Sequence, residues 1–585
     1  MEALVNNRTS SFLVSPSIAE YFGPLKLTLL TSVILLLITT RLITGHTSHR
    51  TAIHRVESDG ARHPEPVPYW IPYLGHIPNF ILSGGKFLPS LRDKYPSGAV
   101  TIKILGTKHV FIFRHSLGTS LLSKPDSIAG GEWLRLRILS KAFEYPQAEL
   151  PDYLEVASEW HDIFAKLVSG SGLDQLVSRT SKNLTANINR FVTFHADEVE
   201  QSPWEQTAKT RLLSSSHPPT VSTSLSDLVR LFVSHTANES LVGADFIENF
   251  PHFWDQLWEF NETWQLLVLG LPPWVGYKWP KLARAMRAQS EMLQSVREFH
   301  VALDDYFHGV DPGPRWTRLG GDENGKGGVS ELIWARMPLY LKRGWSIDAR
   351  ASNELGLIWA MNINGNMLIF WMLYRIASDP SLQAKIRCEV AKFVDLPTET
   401  PDHGPTQSES TSINIEGLMS QCPLLKASYI ESLRIDSSMW TFKKAKSSFI
   451  VTARESKGTV EERFRIPQGA YAYLAEELIS MDPNLFPEPT RWRPQRHIVL
   501  DDRGNEGKVP VARLGNMRPY GGGPTICPGR NFAVREALAY VACIISVYDL
   551  LPDNNDTDWP NPKAMSSVGV KTVAEPYRVR IRRRE

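Results

Sequence analysis

The stretch Pro519-Tyr520-Gly521-Gly522-Gly523-Pro524-Thr525-Ile526-Cys527-Pro528-Gly529-Arg530-Asn531-Phe532-Ala533 decides the fold of this chain. A glycine-rich loop leads to one cysteine, Cys527, and an apolar helix is predicted to begin at about Asn531. The glycines let the backbone adopt positive φ angles and approach a flat ligand closely. Loop amides and the N-terminus of the helix stabilise a thiolate. The arrangement suits a Cys527 thiolate that ligates haem iron, with Gly521 and Gly523 beside the porphyrin.

The same stretch resembles the cysteine-ligand loop of the cytochrome P450 superfamily, F-x-x-G-x-x-x-C-x-G. Tyr520 stands where phenylalanine is usual, and Thr525 stands where many members carry an arginine for a haem propionate. The resemblance implies a mainly α-helical fold with small β-sheets, one catalytic domain, haem b as cofactor, and Cys527 as the axial metal ligand. For a lone cysteine the alternative is a buried thiol in a turn before a helix, and the further motifs weigh against it.

Composition bounds the class of protein. The chain has 585 residues, of which 42% are hydrophobic, so it can bury a large core. Its formal net charge of +2 gives no argument for a nucleic-acid partner. The four cysteines are scattered, without a C-x-x-C pair or zinc spacing, so neither a disulfide framework nor a zinc finger is predicted, and a reducing location is favoured. They are Cys388, Cys422, Cys527 and Cys543.

The N-terminus carries a membrane signal. Residues 27–40 carry no charge and are bracketed by Lys26 and Arg41, and the stretch 25–43 approaches the roughly 20 residues that span a bilayer. Basic residues follow the span and few precede it, which predicts a cytosolic body and a lumenal N-terminus with Asn7 as a glycosylation acceptor. A cleaved signal peptide is the alternative, but no small-residue cleavage site stands out. We therefore predict a single-pass protein of the endoplasmic reticulum membrane.

The predicted domain order follows from this anchor. A polar linker and a proline-rich hinge with prolines 64, 66, 68 and 72 come after it. The predicted segments are a short lumenal N-terminus (1–24), a transmembrane anchor (25–43), a linker and hinge (44–72) and a haem-thiolate catalytic domain (73–585).

Two motifs upstream of the cysteine loop strengthen the resemblance. Glu431-Ser432-Leu433-Arg434 is an E-x-x-R whose charged side chains share one helix face. Alone it would be read as a solvated surface pair. The segment 486–497 resembles the F-x-P-E-R-F segment of the superfamily, and the resemblance then makes Arg496 the third member of a structural Glu-Arg-Arg network with Glu431 and Arg434.

The oxygen-activating helix is expected at residues 353–376, which are long and largely apolar. Most members of the superfamily carry an acid followed by threonine there, whereas this chain carries Asn364 and Gly365. The pattern resembles the branch of cholesterol 7-alpha-hydroxylase and prostacyclin synthase, so Asn364 and Gly365 are the catalytic candidates. Asparagine and glycine are poor helix formers, and a local distortion over the haem is predicted. A polar patch packed against neighbouring helices is the alternative, and it fits Asn362 and Asn366 better.

The haem propionates and the substrate have less specific candidates. Lys166, in the stretch 160–184, and Lys444, after the E-x-x-R helix, are candidate cofactor-binding residues, with solvated lysines as the alternative. Residues at positions where the superfamily lines its substrate pocket are the candidate pocket residues, with ordinary strand core as the alternative. They are Met439, Trp440, Thr441 and Phe442. The region 114–153 looks too short for the usual substrate-facing helix.

The rest of the chain gives coarser expectations. A β-hairpin is predicted around Gly106-Thr107, and two strands of a small terminal sheet are predicted at 566–573 and 577–582. The apolar stretch 266–279 is either a second membrane contact or a buried loop. Two polar or glycine-rich segments, 308–328 and 397–412, are predicted to be insertions.

The resemblance implies a monooxygenase that inserts one oxygen atom from O2 into a lipophilic small molecule. Electrons would come from NADPH through a partner reductase, for which Arg530 and Arg535 could form a basic docking surface. A terpenoid, sterol or polyketide substrate is favoured, and the sequence is similar to fungal secondary-metabolism members. Two alternatives stay open: an isomerase or dehydratase that uses haem without O2, and a non-catalytic haem-binding protein.

Overall fold

A computed structural model of the chain describes residues 24–54, 56–83, 85–213, 217–270, 274–321, 327–396, 412–454, 461–504, 507–553, 558–565 and 569–584. Helices predominate among them and the strands are short, so the predicted mainly α-helical fold with small sheets is confirmed.

The α-helices are numbered in chain order. They are α1 Pro24–His54, α2 Ile77–Leu82, α3 Phe87–Lys94, α4 His115–Leu122, α5 Glu132–Ala142, α6 Leu150–Glu155, α7 Ala157–Leu167, α8 Gly170–Asn187, α9 Pro203–Thr207, α10 Leu225–Val242, α11 Ala244–Asn249, α12 Phe253–Asn261, α13 Trp264–Leu269, α14 Trp274–Lys278, α15 Pro280–Phe307, α16 Glu331–Trp334, α17 Met337–Arg343, α18 Ile347–Ala377, α19 Pro380–Val390, α20 Ile415–Gln421, α21 Pro423–Ile435, α22 Glu476–Ser480 and α23 Arg530–Val547.

The strands are numbered in the same way. They are β1 Glu65–Pro66, β2 Ala99–Ile104, β3 Thr107–Ile112, β4 Ala129–Gly130, β5 Arg211–Leu212, β6 Thr220–Ser224, β7 Val394–Asp395, β8 Ser412–Ile413, β9 Ser437–Ser438, β10 Trp440–Ala445, β11 Phe449–Arg454, β12 Glu461–Ile466, β13 Tyr471–Ala475, β14 Ile498–Gly504, β15 Gly507–Ala512, β16 Tyr548–Pro552, β17 Ala564–Met565, β18 Gly569–Val570, β19 Thr572–Val573 and β20 Arg578–Arg583.

The chain forms two compact units. The first comprises Met1–Leu121 and Lys443–Leu474, and the second comprises Leu122–Phe442 and Ala475–Glu585.

A small sheet organises the first unit. Strand β1 runs parallel to β2, β2 and β3 form an antiparallel hairpin, and β13 lies parallel to β3. The hairpin predicted from the sequence is present, and its turn falls at Leu105 and Gly106, whose φ angles are 48° and 76°. Positive φ at both turn positions matches the right-handed twist of the flanking strands.

Helix α1 extends beyond the predicted anchor. The window Leu27–Thr51 is long and apolar enough to cross a membrane, and apart from Ser48 its residues are exposed or only partly buried. The helix continues to His54, so the first part of the predicted linker is helical, because no proline interrupts those residues. Its later turns contact the proline-rich segment: Thr44 Oγ1 donates to the Tyr69 carbonyl at 3.1 Å, and Ser48 Oγ donates to Glu65 Oε1 at 3.0 Å.

Helix α18 forms the centre of the second unit. It also passes the length and hydropathy test for a membrane span, but it is largely buried and packs against α10, α15, α21 and α23. Ser346 Oγ caps its N-terminus by accepting from the Ala349 N–H at 3.2 Å. The helix is continuous through residues 362–366, so the predicted distortion is absent.

Two asparagines explain how the helix stays regular there. Asn362 and Asn238 of α10 exchange two amide hydrogen bonds, at 2.7 and 3.0 Å. Asn366 donates to Ser234 Oγ at 2.9 Å and to the Arg230 carbonyl at 3.0 Å. These buried amides are satisfied by a neighbouring helix, which is the structural alternative considered above.

The C-terminal strands do not form one small sheet, as was predicted. Strand β20 pairs with β16 and β6, β18 pairs with β9, and β19 pairs with β17. The two tail segments therefore belong to different sheets. Strand β17 is close to β19 in sequence, but β6 and β9 lie far upstream, and a local pattern carries no information about such distant pairings.

Two other expectations are revised, and a third falls mostly outside the described residues. The stretch 266–279 contains the last turn of α13 and the whole of α14, so it is partly helical. The side chains of Leu269, Trp274 and Trp279 are exposed. In the segment that begins at residue 308, the side chains of Trp316 and Leu319 are buried, so this part of the predicted insertion packs against the protein. Most of the segment 397–412 lies outside the described residues.

Candidate haem-thiolate site

The cysteine loop requires glycine at two positions. Gly521 and Gly523 have φ angles of 72° and 63°, in the left-handed region. A Cβ atom at Gly523 would lie 2.2 Å from the Leu122 carbonyl oxygen, so only glycine fits there. The Cys527 N–H donates to the Tyr520 carbonyl at 2.9 Å, which closes the loop just before α23 begins.

The surroundings of the Cys527 sulfur favour a metal-bound thiolate. Burial raises the pKa of the Cys527 thiol above its ordinary value. The backbone N–H groups of Gly529 and Arg530 donate toward the sulfur, and they and the Arg530 charge act in the opposite direction. Amides at the start of a helix stabilise negative charge. This donor set matches a thiolate whose charge is also neutralised by a bound iron.

Cys527 opens into a cavity of about 270 Å³ inside the second unit. The cysteine side chain is accessible even though it lies deep in the protein, because it faces this cavity. The loop and α23 form one side, and Asn364 and Gly365 of α18 form the other. Apolar residues fill most of the wall, among them Leu357, Ala360 and Met361. An accessible cysteine, the lining glycines Gly365 and Gly529 and an apolar wall fit a haem group, whereas Gly521 and Gly523 do not line this cavity.

A second cavity of about 580 Å³ adjoins the first. The two share Phe164, Leu357, Ala360 and Pro528 in their walls. Helix α5 supplies Leu134 and Ile138 to the larger one. A cavity-facing helix is therefore present in the region 114–153, contrary to the expectation that it is too short. It was missed because α5 has charged residues interspersed among its apolar ones.

Asn364 is held by the C-terminal tail. Its Oδ1 accepts a hydrogen bond from the Val570 N–H at 2.9 Å. Gly569 has a φ of 109°, and a Cβ atom there would lie 2.1 Å from the same oxygen. Because the oxygen is bonded to the backbone, the NH2 group of Asn364 is directed elsewhere, and the side chain is exposed to the smaller cavity. The amide can therefore present donors there.

The structure brings Glu431, Arg434 and Arg496 together. Arg434 Nε and Nη2 each donate to Glu431 at 2.8 Å, and Arg496 Nε donates at 3.1 Å. The backbone N–H of Arg493 and Nε2 of His497 also donate, at 2.9 and 2.7 Å. Burial alone would raise the pKa of Glu431, but the bonds and charge of Arg434 and the bond from His497 hold it at about 2.

The remaining site candidates are not brought together. Met439 lines the smaller cavity. Trp440 donates its indole N–H to Glu477 Oε2 at 3.3 Å, and Thr441 and Phe442 are half-buried in β10. Lys444 belongs to the first unit, where its exposed side chain places Nζ 5.5 Å from the centre of the Tyr471 ring. Lys166 lies in α7, and its side chain is outside the described residues.

Three site features were missed from the sequence. Tyr520 shares a hydrogen bond with the Tyr429 hydroxyl, a contact that phenylalanine cannot make. His497 joins the Glu431 network. Glu536 of α23 lines the smaller cavity. The tyrosine substitution was the only signal in the sequence, because a histidine or glutamate at those positions matches no motif.

A mainly helical fold with a cysteine thiol facing an apolar internal cavity has the features that a thiolate-ligated haem protein needs. Residues 366–580 match the family model described as Cytochrome P450. This match agrees with the resemblance carried by the cysteine loop, and both indicate an oxidoreductase enzyme.

Curated relatives agree with this assignment. The chain is 23% identical to the cytochrome P450 monooxygenase efuG of Hormonema carpetanum, over 94% of this chain and 95% of the relative. It is 24% identical to the cytochrome P450 monooxygenase fsoE of Humicola fuscoatra, over 84% and 82%. It is 22% identical to cytochrome P450 7A1 of Rattus norvegicus, over 54% and 55%.

Proposed function

We propose that the chain is a haem-thiolate monooxygenase that inserts one oxygen atom from O2 into a lipophilic small molecule. A terpenoid, sterol or polyketide of fungal secondary metabolism is the proposed substrate class, and an NADPH-cytochrome reductase is the proposed electron donor. The observation that carries the proposal is the Cys527 thiol facing an apolar cavity that adjoins a larger one. The fungal relatives named as monooxygenases support it.

Cys527 would hold haem b as its axial thiolate, and Gly521 and Gly523 would lie close to the porphyrin. Lys166 and Lys444 remain proposals for its propionates. The bound haem would supply O2 activation, which thiolate ligation favours. The overall reaction balances as one substrate C–H, O2, NADPH and one proton giving an alcohol, water and NADP⁺.

The residues of this chain would position the substrate and exclude water. The shared wall of the two cavities, with Phe164 and Leu357, is apolar, and Met439 adds to it. Such a wall favours lipophilic substrates and strengthens electrostatic effects at the reacting atoms. Asn364, oriented by the Val570 N–H, would donate a hydrogen bond into the smaller cavity.

A second candidate function is an isomerase or dehydratase that does not consume O2. Asn364 and Gly365, at the positions of the usual acid and threonine, favour it. The two candidates differ in the mass of the product relative to its precursor. A non-catalytic haem-binding protein is the third possibility, and it differs from both by the absence of turnover.

We propose that the protein is anchored in the endoplasmic reticulum membrane by α1, with its catalytic part in the cytosol. The exposed apolar window Leu27–Thr51 supports the anchor. Asn7 lies outside the described residues, and its glycosylation tests the topology. A glycosidase-sensitive shift in mass that disappears in Asn7→Gln is the expected result.

The decisive experiment disrupts the gene in its host and compares small-molecule masses with those of the parent strain. A precursor that is lighter than the lost product by one oxygen atom supports the monooxygenase. Labelling with ¹⁸O2 should then place the label in the product made by the purified protein with its reductase. Equal masses would identify an isomerase instead. Turnover that survives in Cys527→Ala would overturn the role of the thiolate.

A further inference from the structure

The larger cavity has one polar end in an otherwise apolar wall. Arg336, which immediately precedes α17, lines this end and is only 5% exposed. Its Nη1 donates to Glu354 Oε1 of α18 at 2.9 Å, while its buried Nε has no hydrogen-bond partner within the described residues. Since a guanidinium carries five N–H donors, the bond to Glu354 leaves others available for a ligand.

The indole of Trp160 lies against the same guanidinium. The Arg336 Cζ atom is 5.0 Å from the centre of the Trp160 ring, which is a cation–π distance. Trp160, in α7, also lines the cavity, and its indole N–H is buried without a hydrogen-bond partner in the described part of the chain. Buried N–H groups are rarely left unpaired. Two neighbouring side chains with unsatisfied donors therefore indicate an acceptor that occupies this end of the cavity in the ligand-bound protein.

The charges around this end favour an anion. Among the described residues that line the larger cavity, Arg135 and Arg336 are the arginines, and none is an aspartate or a glutamate. Glu354 is fully buried outside the cavity wall, and although burial alone would raise its pKa, the charge of Arg336 holds that pKa below its ordinary value. The two are therefore an ionised, balanced pair. Arg135 is exposed and makes no ion pair within the described ranges, so one positive charge remains unbalanced.

The position of this polar end sets the length of the ligand. Asn353 lines the larger cavity and Asn364 the smaller one, and about three turns of α18 separate them, or about 17 Å along the helix axis. The two cavities share Phe164 and Leu357 in their walls, so an elongated apolar body fits along both. A ligand whose anionic group lies at Arg336 therefore presents a distant carbon to the cysteine site.

We propose that the substrate is an elongated, lipophilic carboxylic acid whose carboxylate binds Arg336 and the indole N–H of Trp160, with Arg135 balancing its charge. The inference rests on the proposed monooxygenase function and narrows its substrate class. Arginine matches a carboxylate in both charge and geometry, and the apolar wall fits the rest of the molecule. The carboxylate is not consumed. The oxygen atom enters a C–H bond that lies roughly 15 Å from it, since the two ends of the site are that far apart along α18.

The first test examines the precursor that accumulates when the gene is disrupted. Diazomethane should convert one carboxyl group of the purified precursor into a methyl ester and add the mass of one CH2. The wild-type holoenzyme should bind the free acid at least tenfold more tightly than this ester, because the ester lacks the charge. The change in the haem absorption spectrum on binding measures both dissociation constants. A precursor without a carboxyl group, or equal affinities, would overturn the proposal.

The second test removes one donor. Trp160→Phe deletes the indole N–H but keeps a ring beside Arg336, so the dissociation constant of the acid should rise about tenfold while that of the ester stays the same. Trp345→Phe is the matched control. The indole N–H of Trp345 is likewise buried without a partner in the described part of the chain, and its ring packs 5.4 Å from that of Trp160, yet Trp345 lines neither cavity. Equal losses of acid binding in both variants would refute the role of Trp160.

The third test removes the charges. Arg336→Gln is combined with Glu354→Gln, because a lone Glu354 carboxylate would be left buried and unpaired. The double variant should lose acid binding at least tenfold and keep ester binding. Arg135→Gln should also weaken acid binding, whereas Lys141→Gln should not, since Lys141 is an exposed cation of the same helix α5 that lines neither cavity. Unchanged acid binding in Arg135→Gln and in Trp160→Phe would refute the proposal even if the double variant does not fold.

The remaining outcomes separate this inference from the proposed function. If Trp160→Phe or Arg135→Gln loses haem before any substrate is added, these donors serve the haem propionates and the inference about the substrate fails. If the product made by the wild-type protein contains no label from ¹⁸O2, the monooxygenase proposal fails. The preference for the acid over its ester then still reports whether the polar end of the larger cavity binds a carboxylate.

Discussion

Tyr520 occupies the position at which the superfamily usually carries phenylalanine, and its hydroxyl is hydrogen-bonded to that of Tyr429. The sequence comparison treats this replacement as minor. In the structure it adds a buried polar pair between the cysteine loop and α21. Burial raises the pKa of both hydroxyls, with that of Tyr429 well above its ordinary value, so both remain protonated. The pair therefore acts as a hydrogen bond between neutral groups.

The effects of removing the two hydroxyls on the free energy of unfolding should not be additive. Tyr520→Phe leaves the buried Tyr429 hydroxyl without its partner, at a cost of about 1–3 kcal/mol. Tyr429→Phe should cost a similar amount, and the double variant should cost less than the sum of the two. Urea unfolding of the three variants measures this. Additive effects would show that the two hydroxyls do not stabilise each other.

Gly569 permits the contact that orients Asn364. Gly569→Ala strains a backbone with φ of 109° and places a methyl group against the Asn364 amide oxygen. We expect the bond from Val570 to be lost and the carbon monoxide and substrate-bound spectra to change. Gly344→Ala is the matched control, because that glycine also has positive φ, at 63°, but no atom lies within 4 Å of an added Cβ. Equal spectral effects in both variants would show that backbone strain alone is responsible.

Single residues differ in how far the sequence reveals them. Cys527 could be predicted because its neighbours form a dense local motif. Glu536 could not, because a glutamate nine residues further along a helix normally reads as part of a solvated face. Its position depends on α18, whose Gly365 is distant in sequence. The hydrogen bond from Val570 to Asn364 likewise joins residues that only the fold brings together.

At the scale of elements, Glu431 links α21 to the short 3-10 helix Pro494–His497. Glu431 and Arg434 are completely buried, and five donor groups converge on the one carboxylate. A buried charge of this kind is tolerable only while it is paired. We propose that the network fixes the segment that leads to the cysteine loop, as the E-x-x-R motif suggested.

The network should make stability depend on acid pH. The pKa of Glu431 falls from an ordinary 4.5 to about 2 in the folded protein, so its contribution is complete above about pH 4.5 and is lost as pH falls toward 2. The shift corresponds to about 3 kcal/mol. Glu431→Gln should be destabilised by about 3–5 kcal/mol near neutral pH. The difference in free energy of unfolding between the wild type and Glu431→Gln, measured by urea unfolding, should then narrow below about pH 4.5.

The wild type must be compared with Glu431→Gln because many other carboxylates also titrate below about pH 4.5 and change the stability of both proteins. Glu477→Gln provides a control, since Glu477 is partly exposed and its contacts with Ser438, Trp440 and Lys571 are all long, at 3.3 Å. The free energy of unfolding of Glu477→Gln should differ little from that of the wild type at every pH. A gap for Glu431→Gln that stays constant down to the lowest accessible pH would refute the assigned cause.

The sequence predicts where helices and strands lie better than it predicts which elements they pair or pack with. Helix α18 follows from its length and apolar composition, and the hairpin β2–β3 follows from its alternating pattern and its turn. The tail strands were located but were wrongly assigned to one sheet, because their partners β6 and β9 lie far upstream in sequence. The same limitation explains Asn362 and Asn366, whose partners on α10 show them to be packing residues.

At the scale of the whole molecule, all residues that line the two cavities belong to the second unit. The first unit contains α1 and the sheet of β1, β2, β3 and β13. Site chemistry and the proposed membrane attachment therefore depend on different parts of the chain. Changes confined to α1 should therefore alter membrane attachment without altering the cysteine site.

Truncation tests this separation and the proposed anchor together. Removing residues 1–43 deletes most of the exposed apolar window but keeps Thr44 and Ser48, which bond to Tyr69 and Glu65. We expect the shortened protein to leave the membrane fraction, while haem content and the carbon monoxide spectrum stay unchanged. Removing residues 1–54 also deletes those two bonds and should additionally lower the melting temperature. A 1–43 truncation that still sediments with membranes after a high-salt wash would show that another surface, such as the one exposing Trp274 and Trp279, provides attachment.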